Sequence, residues 1–201
     1  MLNYICLFII ILIFLIIIYA YNTGSCQIDK KYICNNSFCL YKIFRIEFTE
    51  NLKKDINYIL SIKDLQKRVS INMYPENILN CALPNRNGIT ISTGSIQKYS
   101  NNLINFYQND LKNYISNLIN LTVYPTDLKF PTSCAILIYN KEDDWINWHY
   151  NYNYYDGRFF TVLIPITHHL TCTKFQFKSP SNEIVSLDLT NEGICFEENF
   201  L

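Results

Sequence analysis

The sequence predicts an α+β protein in which an N-terminal transmembrane helix precedes one domain of helices and antiparallel strands. Three observations predict this class: an unbroken apolar run near the N-terminus, two stretches with apolar residues at helical spacing, and several short strand-like segments after residue 130. The 201 residues suffice for one domain of ordinary size and an appendage. The predicted boundaries are 1–21 for the anchor, 22–46 for a stalk or first strands, and 47–201 for the domain, with a helical part at 47–125 and a β core at 130–201.

Composition and charge exclude one class of partner. The chain has 17 basic and 17 acidic residues and a formal net charge of zero. A protein that binds nucleic acid needs a basic face, so no nucleic-acid partner is expected. Aromatic residues make up 15% of the chain, and its 5 glycines and 6 prolines are too few for a disordered protein.

The apolar run extends from Tyr4 to Tyr21. As an α-helix, these residues would measure about 27 Å, which matches the hydrocarbon thickness of a bilayer. A cleaved signal peptide is the alternative, but the chain lacks both a basic segment before the run and a small-residue cleavage pattern after it. We therefore expect an uncleaved, single-pass N-terminal membrane anchor.

The side of the membrane on which the domain lies stays open. Basic residues between positions 30 and 45 favour a cytosolic domain by the positive-inside rule. Glycosylation sequons that begin at Asn35 and Asn120 favour the lumenal side. Cys26, Cys34 and Cys39 lack a C-x-x-C pair, which disfavours a zinc site and leaves a disulfide-linked stalk as an alternative.

Two helices are predicted between the anchor and the strands. The first is amphipathic and covers 47–62, and the second begins at the N-cap Ser95 and reaches about residue 118. The segment 69–93 between them has turn signals around short extended pieces. The residues at helical spacing are Phe48, Leu52, Ile56, Ile59 and Leu60 in the first helix, and Ile96, Tyr99, Leu103, Phe106, Asp110, Tyr114 and Leu118 in the second.

Short strand-like segments follow Pro131 and predict an antiparallel sandwich or barrel. Asp143 and Asp144 are interpreted as part of a solvated turn, and Arg158 as a turn residue at the end of a hairpin. The segments are 134–139, 145–150, 159–166, 175–177, 184–189 and 193–196.

His149 lies in the alternating segment 145–150, so Asn151 shares its face of the strand. A pair of donors at positions i and i+2 can reach a metal ion from one side. The facial-triad iron sites use such a pair, His-x-Asp, together with a second histidine. The adjacent histidines His168 and His169 are most simply a loop pair.

The segments WHYN at 148–151, GRFFTVLIPIT at 157–167 and NEGICFE at 191–197 resemble the 2-oxoglutarate/Fe(II)-dependent dioxygenases. The similarity is greatest to the prolyl-4-hydroxylase-like branch, which includes uncharacterised members from large DNA viruses, and it covers about residue 130 to the end. It implies an incomplete double-stranded β-helix, or jelly-roll, with Fe(II) and 2-oxoglutarate as cofactors and a peptide or protein as substrate. It places His149 and Asn151 at the metal-ligand positions, and Tyr139 is a candidate contact for 2-oxoglutarate.

The chain departs from the pattern of the family at two places. Asn151 stands where the family has an aspartate, and a neutral amide does not offset the charge of Fe(II). The chain also stops at Leu201, before a distal histidine and a basic anchor for 2-oxoglutarate. We therefore expect a degenerate, C-terminally truncated copy with little or no turnover, and we assign no catalytic residue. The alternative is a non-catalytic, membrane-anchored scaffold or interaction module.

Overall fold

The computed structural model describes residues 41–71, 85–147, 158–166, 175–178, 183–187, 189 and 192–197. The predicted anchor at 1–21, the cysteines of the predicted stalk, and the metal-ligand pair His149 and Asn151 lie outside the described residues. None of the helices within the described ranges is long and apolar enough to cross a membrane.

The first helix, α1, covers Glu50–Ser61 and confirms the predicted amphipathic helix. It begins at Thr49, whose side chain accepts a hydrogen bond from the backbone amide of Leu52. Ile56 and Ile59 are buried on the same face as Leu52, as the helical spacing of these apolar residues requires. A 3-10 turn, Lys63–Leu65, follows directly.

The second predicted helix is present but interrupted. It consists of α2 (Thr93–Tyr99), α3 (Asn101–Asn105), a π-helical segment (Phe106–Leu111) and α4 (Lys112–Ile119). The last three follow one another without a gap, so they form one continuous rod.

Serine residues determine where these helices begin. Ser92, and not the predicted Ser95, is the N-cap of α2. Ser100 interrupts the helix because its backbone is extended, at φ −151° and ψ 101°. Its hydroxyl accepts from the amide of Leu103 at 3.0 Å and donates to Asp55 of α1 at 2.5 Å. These two hydrogen bonds stabilise the break between α2 and α3. The helical spacing of the apolar residues continues across Ser100 and therefore does not predict the break.

In the described part of the chain, nine strands form three antiparallel sheets. One has the order β1-β9-β6, the second has the order β2-β3-β4 with β5 also paired to β3, and the third is the hairpin β7-β8. The strands are β1 (Tyr41–Phe44), β2 (Arg68–Ile71), β3 (Arg86–Ile91), β4 (Ile136–Ile138), β5 (Trp145–Ile146), β6 (Phe160–Leu163), β7 (Phe175–Lys178), β8 (Ile184–Leu187) and β9 (Gly193–Glu197).

Strands β4 and β5 lie along the same edge of β3. Ile89 of β3 pairs with β2 and with Ile138 of β4, and Arg86 of β3 pairs with β2 and with Ile146 of β5. Because β2 occupies one edge, β4 and β5 both occupy the other. The residues 139–144 between them therefore form a loop that leaves one edge of the sheet and returns to it.

Two apolar clusters hold the sheets against the helices. In the first, Ile89 and Ile91 of the four-stranded sheet pack with Ile56 of α1. In the second, Cys195 of β9 packs with Ile115 of α4. The opposite face of the three-stranded sheet contacts the hairpin through aromatic rings. The ring centroids are 5.0 Å apart for Tyr41 and Phe177, and 5.4 Å apart for Phe175 and Phe196.

The predicted fold class is wrong in the described part of the chain, where the helices do not pack on an incomplete double-stranded β-helix (jelly-roll) core; the transmembrane helix of the same prediction lies outside the described residues. The described residues form three small antiparallel sheets with three helical rods and contain no spanning helix. The prediction placed the β core at 130–201 and a helical part at 47–125, with a stalk or first strands at 22–46. Instead, β2 and β3 supply half of the four-stranded sheet, and β1 pairs with the last strand, β9. The period-two segment 86–91 buries one face against α1, and this packing makes it a central strand.

A candidate binding groove

An open cavity of about 1120 Å³, which we call the groove, is lined by residues of the four-stranded sheet, of β6 and of the rod formed by α3, the π-helical segment and α4. Its size slightly exceeds the range of ordinary small-molecule pockets, about 300–1,000 Å³. The π-helical segment contributes Phe106, Tyr107 and Leu111 to one wall. Tyr107 is held in place there, because its hydroxyl donates to the carbonyl of Thr126 at 3.1 Å. The lining also includes the segments 121–127, 131–137 and 158–164, and the single residues Phe48, Ile56, Arg86, Ile96, Leu103, Lys112, Ile115, Ile146 and Ile166.

Exposed apolar side chains line much of the groove. In the described part of the chain, nine large hydrophobic residues are exposed. Five of them line the groove: Leu121, Tyr124, Leu137, Ile146 and Ile166. Scattered exposed hydrophobic residues are ordinary, but a concave apolar surface is typical of a binding site.

Arg86 places a half-buried positive charge in the wall of the groove. Its Nε is shielded from solvent and has no hydrogen-bond partner within the part of the chain that the structure describes. In the register of the sheet, Arg86 is opposite Ile146, so the two side chains lie on the same face. A buried donor without a partner costs about 1–3 kcal/mol, and more when the group is charged, so an unsatisfied arginine indicates that a partner is missing.

Tyr139, the predicted contact for 2-oxoglutarate, lies beside Arg86 but is not among the residues that line the groove. Its ring covers Gly88, and a Cβ added to that glycine would lie 3.1 Å from Cδ1 of the ring. Burial raises the pKa of Tyr139, the charge of Arg86 opposes this rise, and Asp144 adds to it. The hydroxyl therefore stays protonated at neutral pH and can donate a hydrogen bond.

Arg158 is not the solvated turn residue that the sequence predicts. Its Nε and Nη2 donate to the two carboxylate oxygens of Glu197 at 2.8 and 2.7 Å. The side chain of Glu197 is 1% exposed, and that of Arg158 is 30% exposed. Arg158 also lies over the ring of Phe160, with its Cζ 5.1 Å from the ring centroid. This arginine lines the groove, but its charge is already paired.

Asp144 is buried as well, whereas its neighbour Asp143 is exposed as predicted. Asp144 forms an ion pair with Arg68 and accepts from the backbone amides of Asn140 and Lys141 at 2.7 and 2.8 Å. Burial alone would raise the pKa of Asp144, but the hydrogen bonds from Arg68 and from the two amides outweigh it and lower the pKa. These bonds hold the loop 139–144 and thereby the position of Tyr139.

The structure leaves the predicted iron site untested, since His149 and Asn151 lie outside the described residues. Among the residues that are described, no group of three or more histidine, cysteine, aspartate or glutamate side chains could hold a metal ion. Cys134 and Cys195 are free thiols. Burial raises the pKa of Cys134 to about 11 and, with the charge of Glu197, that of Cys195 to about 12.

Comparison of the chain with protein-family models, with curated proteins and with solved structures finds no match. The resemblance to the dioxygenases therefore stays a prediction from the sequence segments quoted above.

Arg86 is not among the site residues that the sequence predicts. The residue belongs to the segment Pro-Asn-Arg-Asn-Gly at 84–88, which predicts a turn. The signal that could have revealed it is the period-two alternation of 86–91, which predicts a strand with a cation on the face opposite Ile89 and Ile91.

Proposed function

We propose that the chain is a 2-oxoglutarate/Fe(II) dioxygenase-like protein of the prolyl hydroxylase kind, with little or no turnover. The supporting observation is the position of β5. This strand lies on the same edge of β3 as β4, which leads to Tyr139, and its residue Ile146 lines the groove. The segment that contains His149 and Asn151 follows β5 directly in the sequence. The proposed ligand positions therefore come immediately after a strand that contributes to the groove.

The donor set of the chain does not fit a resident Fe(II) ion. His149 supplies one imidazole, but Asn151 supplies a neutral amide oxygen where the family has a carboxylate. The charge of the ion would therefore stay without compensation from this pair. We derive no reaction step through iron, and we assign to the groove the binding of a ligand.

The affinity for Fe(II) tests this proposal. Under anaerobic conditions, the full-length Asn151→Asp variant should bind Fe(II) at least tenfold more tightly than the wild type, because the carboxylate restores the His-x-Asp pair. Asn153→Asp is the matched control, since it adds the same charge two residues later and should bind Fe(II) like the wild type. Equal affinities of the two variants would contradict descent from an iron site.

The exposed apolar side chains of the groove favour a second candidate function, a non-catalytic interaction module. In that case the groove would bind its partner without any metal. A chain that gains no Fe(II) affinity from Asn151→Asp but still binds a ligand in the groove would support this candidate over the first.

We also propose that the chain is attached to a membrane through residues 1–21. The test is flotation of the full-length chain with phospholipid vesicles, compared with a chain that lacks these residues. Only the full-length chain should float. Flotation of both would place the attachment elsewhere, and flotation of neither would contradict it.

A further inference from the structure

The positive charges of the groove differ in whether they have partners. Of the described lining residues, Arg86, Lys112 and Arg158 are cationic. Arg158 is paired with Glu197, and the Nζ of Lys112 lies 5.5 Å from the centroid of the Tyr124 ring. Within the described ranges, Arg86 forms no ion pair and its buried Nε has no hydrogen-bond partner.

The surroundings of Arg86 indicate an anionic ligand group. The lining residues of the described part include a single carboxylate, Asp127, whose Oδ2 lies 3.3 Å from the Nζ of Lys129. No unpaired carboxylate is therefore left for Arg86 among the described lining residues. A guanidinium binds a carboxylate through two parallel hydrogen bonds. Among the described lining residues, the four-stranded sheet contributes no second cation beside Arg86, so the second charge of a phosphate monoester would lack a partner there.

The surroundings of Arg86 indicate that the rest of the ligand is apolar. Ile146 is its partner in the register, and Leu137 lies on the same face of the sheet. Both side chains line the groove, and they are 36% and 44% exposed respectively. The cavity of about 1120 Å³ is far larger than a short dicarboxylate needs, so an apolar chain has room to cover these residues.

We propose that the groove binds a monocarboxylate with an extended apolar chain, whose carboxylate pairs with Arg86 and whose chain covers Leu137 and Ile146. The inference does not depend on the proposed function, because neither iron nor 2-oxoglutarate takes part in it.

Calorimetric titration of the full-length chain with octanoate, below its micellar concentration, tests the role of Arg86. The wild type should bind octanoate, and Arg86→Gln should bind it at least tenfold more weakly because the ion pair is lost. Arg45→Gln is the matched control, since Arg45 is a surface residue that does not line the groove. It should bind octanoate like the wild type. Equal binding by all three chains would overturn the proposal.

Titration of the wild type with other ligands tests the proposal without a variant that has to fold. Hexanoate should bind to the same site more weakly than octanoate, with an affinity that falls about fourfold for each methylene group removed. Octanol should bind at least tenfold more weakly than octanoate. Tighter binding of octyl phosphate, or no binding of any of these ligands, would overturn the carboxylate site. If 2-oxoglutarate binds more tightly than octanoate and this binding depends on Arg86, the proposal of an apolar monocarboxylate is also overturned. That outcome would support the proposed function instead.

Discussion

Arg158 holds the buried carboxylate of Glu197 by two hydrogen bonds, from Nε to Oε1 at 2.8 Å and from Nη2 to Oε2 at 2.7 Å. The pair fastens the start of β6 to the end of β9, where Phe160 and Glu197 are partners in the register. Because the side chain of Glu197 is only 1% exposed, loss of the arginine would leave an uncompensated charge inside the protein.

Arg158→Met should therefore lower the free energy of unfolding by about 3 kcal/mol in urea denaturation. The double variant Arg158→Met/Glu197→Met should be more stable than Arg158→Met alone, because no unpaired charge is left behind. Arg45→Met is the control. Arg45 forms an exposed pair with Glu192 at 2.9 Å, and its loss should cost at most about 1 kcal/mol. Similar losses from the two single substitutions would show that the Glu197 pair is not buried in solution.

Arg86→Met should raise the free energy of unfolding of the ligand-free chain by about 1 kcal/mol. The substitution removes a buried donor that has no partner and keeps much of the apolar stem. Such a gain in stability together with a loss of binding is typical of functional residues. Thermal and urea unfolding of the wild type and of Arg86→Met measure this change in the free energy of unfolding. A loss of 2 kcal/mol or more would mean that Arg86 has a protein partner in solution.

Asp144 should contribute to stability in a pH-dependent way. Its pKa is lowered below the ordinary value of 3.8, so its contribution is present above about pH 4 and is lost as the pH falls through the lowered pKa. Asp144→Asn should cost about 1–2 kcal/mol at pH 7, and this difference from the wild type should shrink below pH 3.8. Asp143→Asn changes an exposed neighbour and should have little effect at either pH. A pH-independent cost of Asp144→Asn would contradict the ionised pair.

The thiol of Cys195 should be unreactive in the folded chain. Burial and, secondarily, the charge of Glu197 raise its pKa to about 12, so almost no thiolate exists at pH 8. Iodoacetamide followed by peptide mapping should modify Cys195 only after unfolding in urea. Because the raised pKa favours the protonated folded state, this contribution to stability is full below the ordinary pKa of 9.0 and is lost as the pH rises to about 12. Modification of native Cys195 at the unfolded rate would contradict its burial.

Local patterns predicted the elements well. The helical spacing of Leu52, Ile56 and Ile59 identified α1, because one apolar stripe suffices to define an amphipathic helix. The segments after residue 130 identified β4 and β6 to β9 for a similar reason, since short alternating or apolar runs between turns are typical of strands. These signals depend on residues close together in the sequence.

Long-range relationships were not predictable in this way. The pairing of β1 with β9 joins residues more than 140 positions apart, for example Phe44 and Gly193, and neither segment specifies its partner. The same limit applies to the charges. Arg68 and Asp144 become partners only because the loop 139–144 returns to the edge of β3, so a local analysis assigned Asp144 to solvent. Arg86 is recognisable as a candidate site residue only in the folded structure, where its Nε is buried without a hydrogen-bond partner among the described residues.

The consumption of 2-oxoglutarate tests the proposed function most directly. The full-length wild type is incubated with 2-oxoglutarate, O₂ and excess Fe(II), and a parallel sample contains a chelator in place of the metal. We expect no consumption above that of the chelator sample, because Asn151 does not complete the His-x-Asp pair. Fe(II)-dependent consumption at about one turnover per second or faster, as in ordinary enzymes, would contradict it.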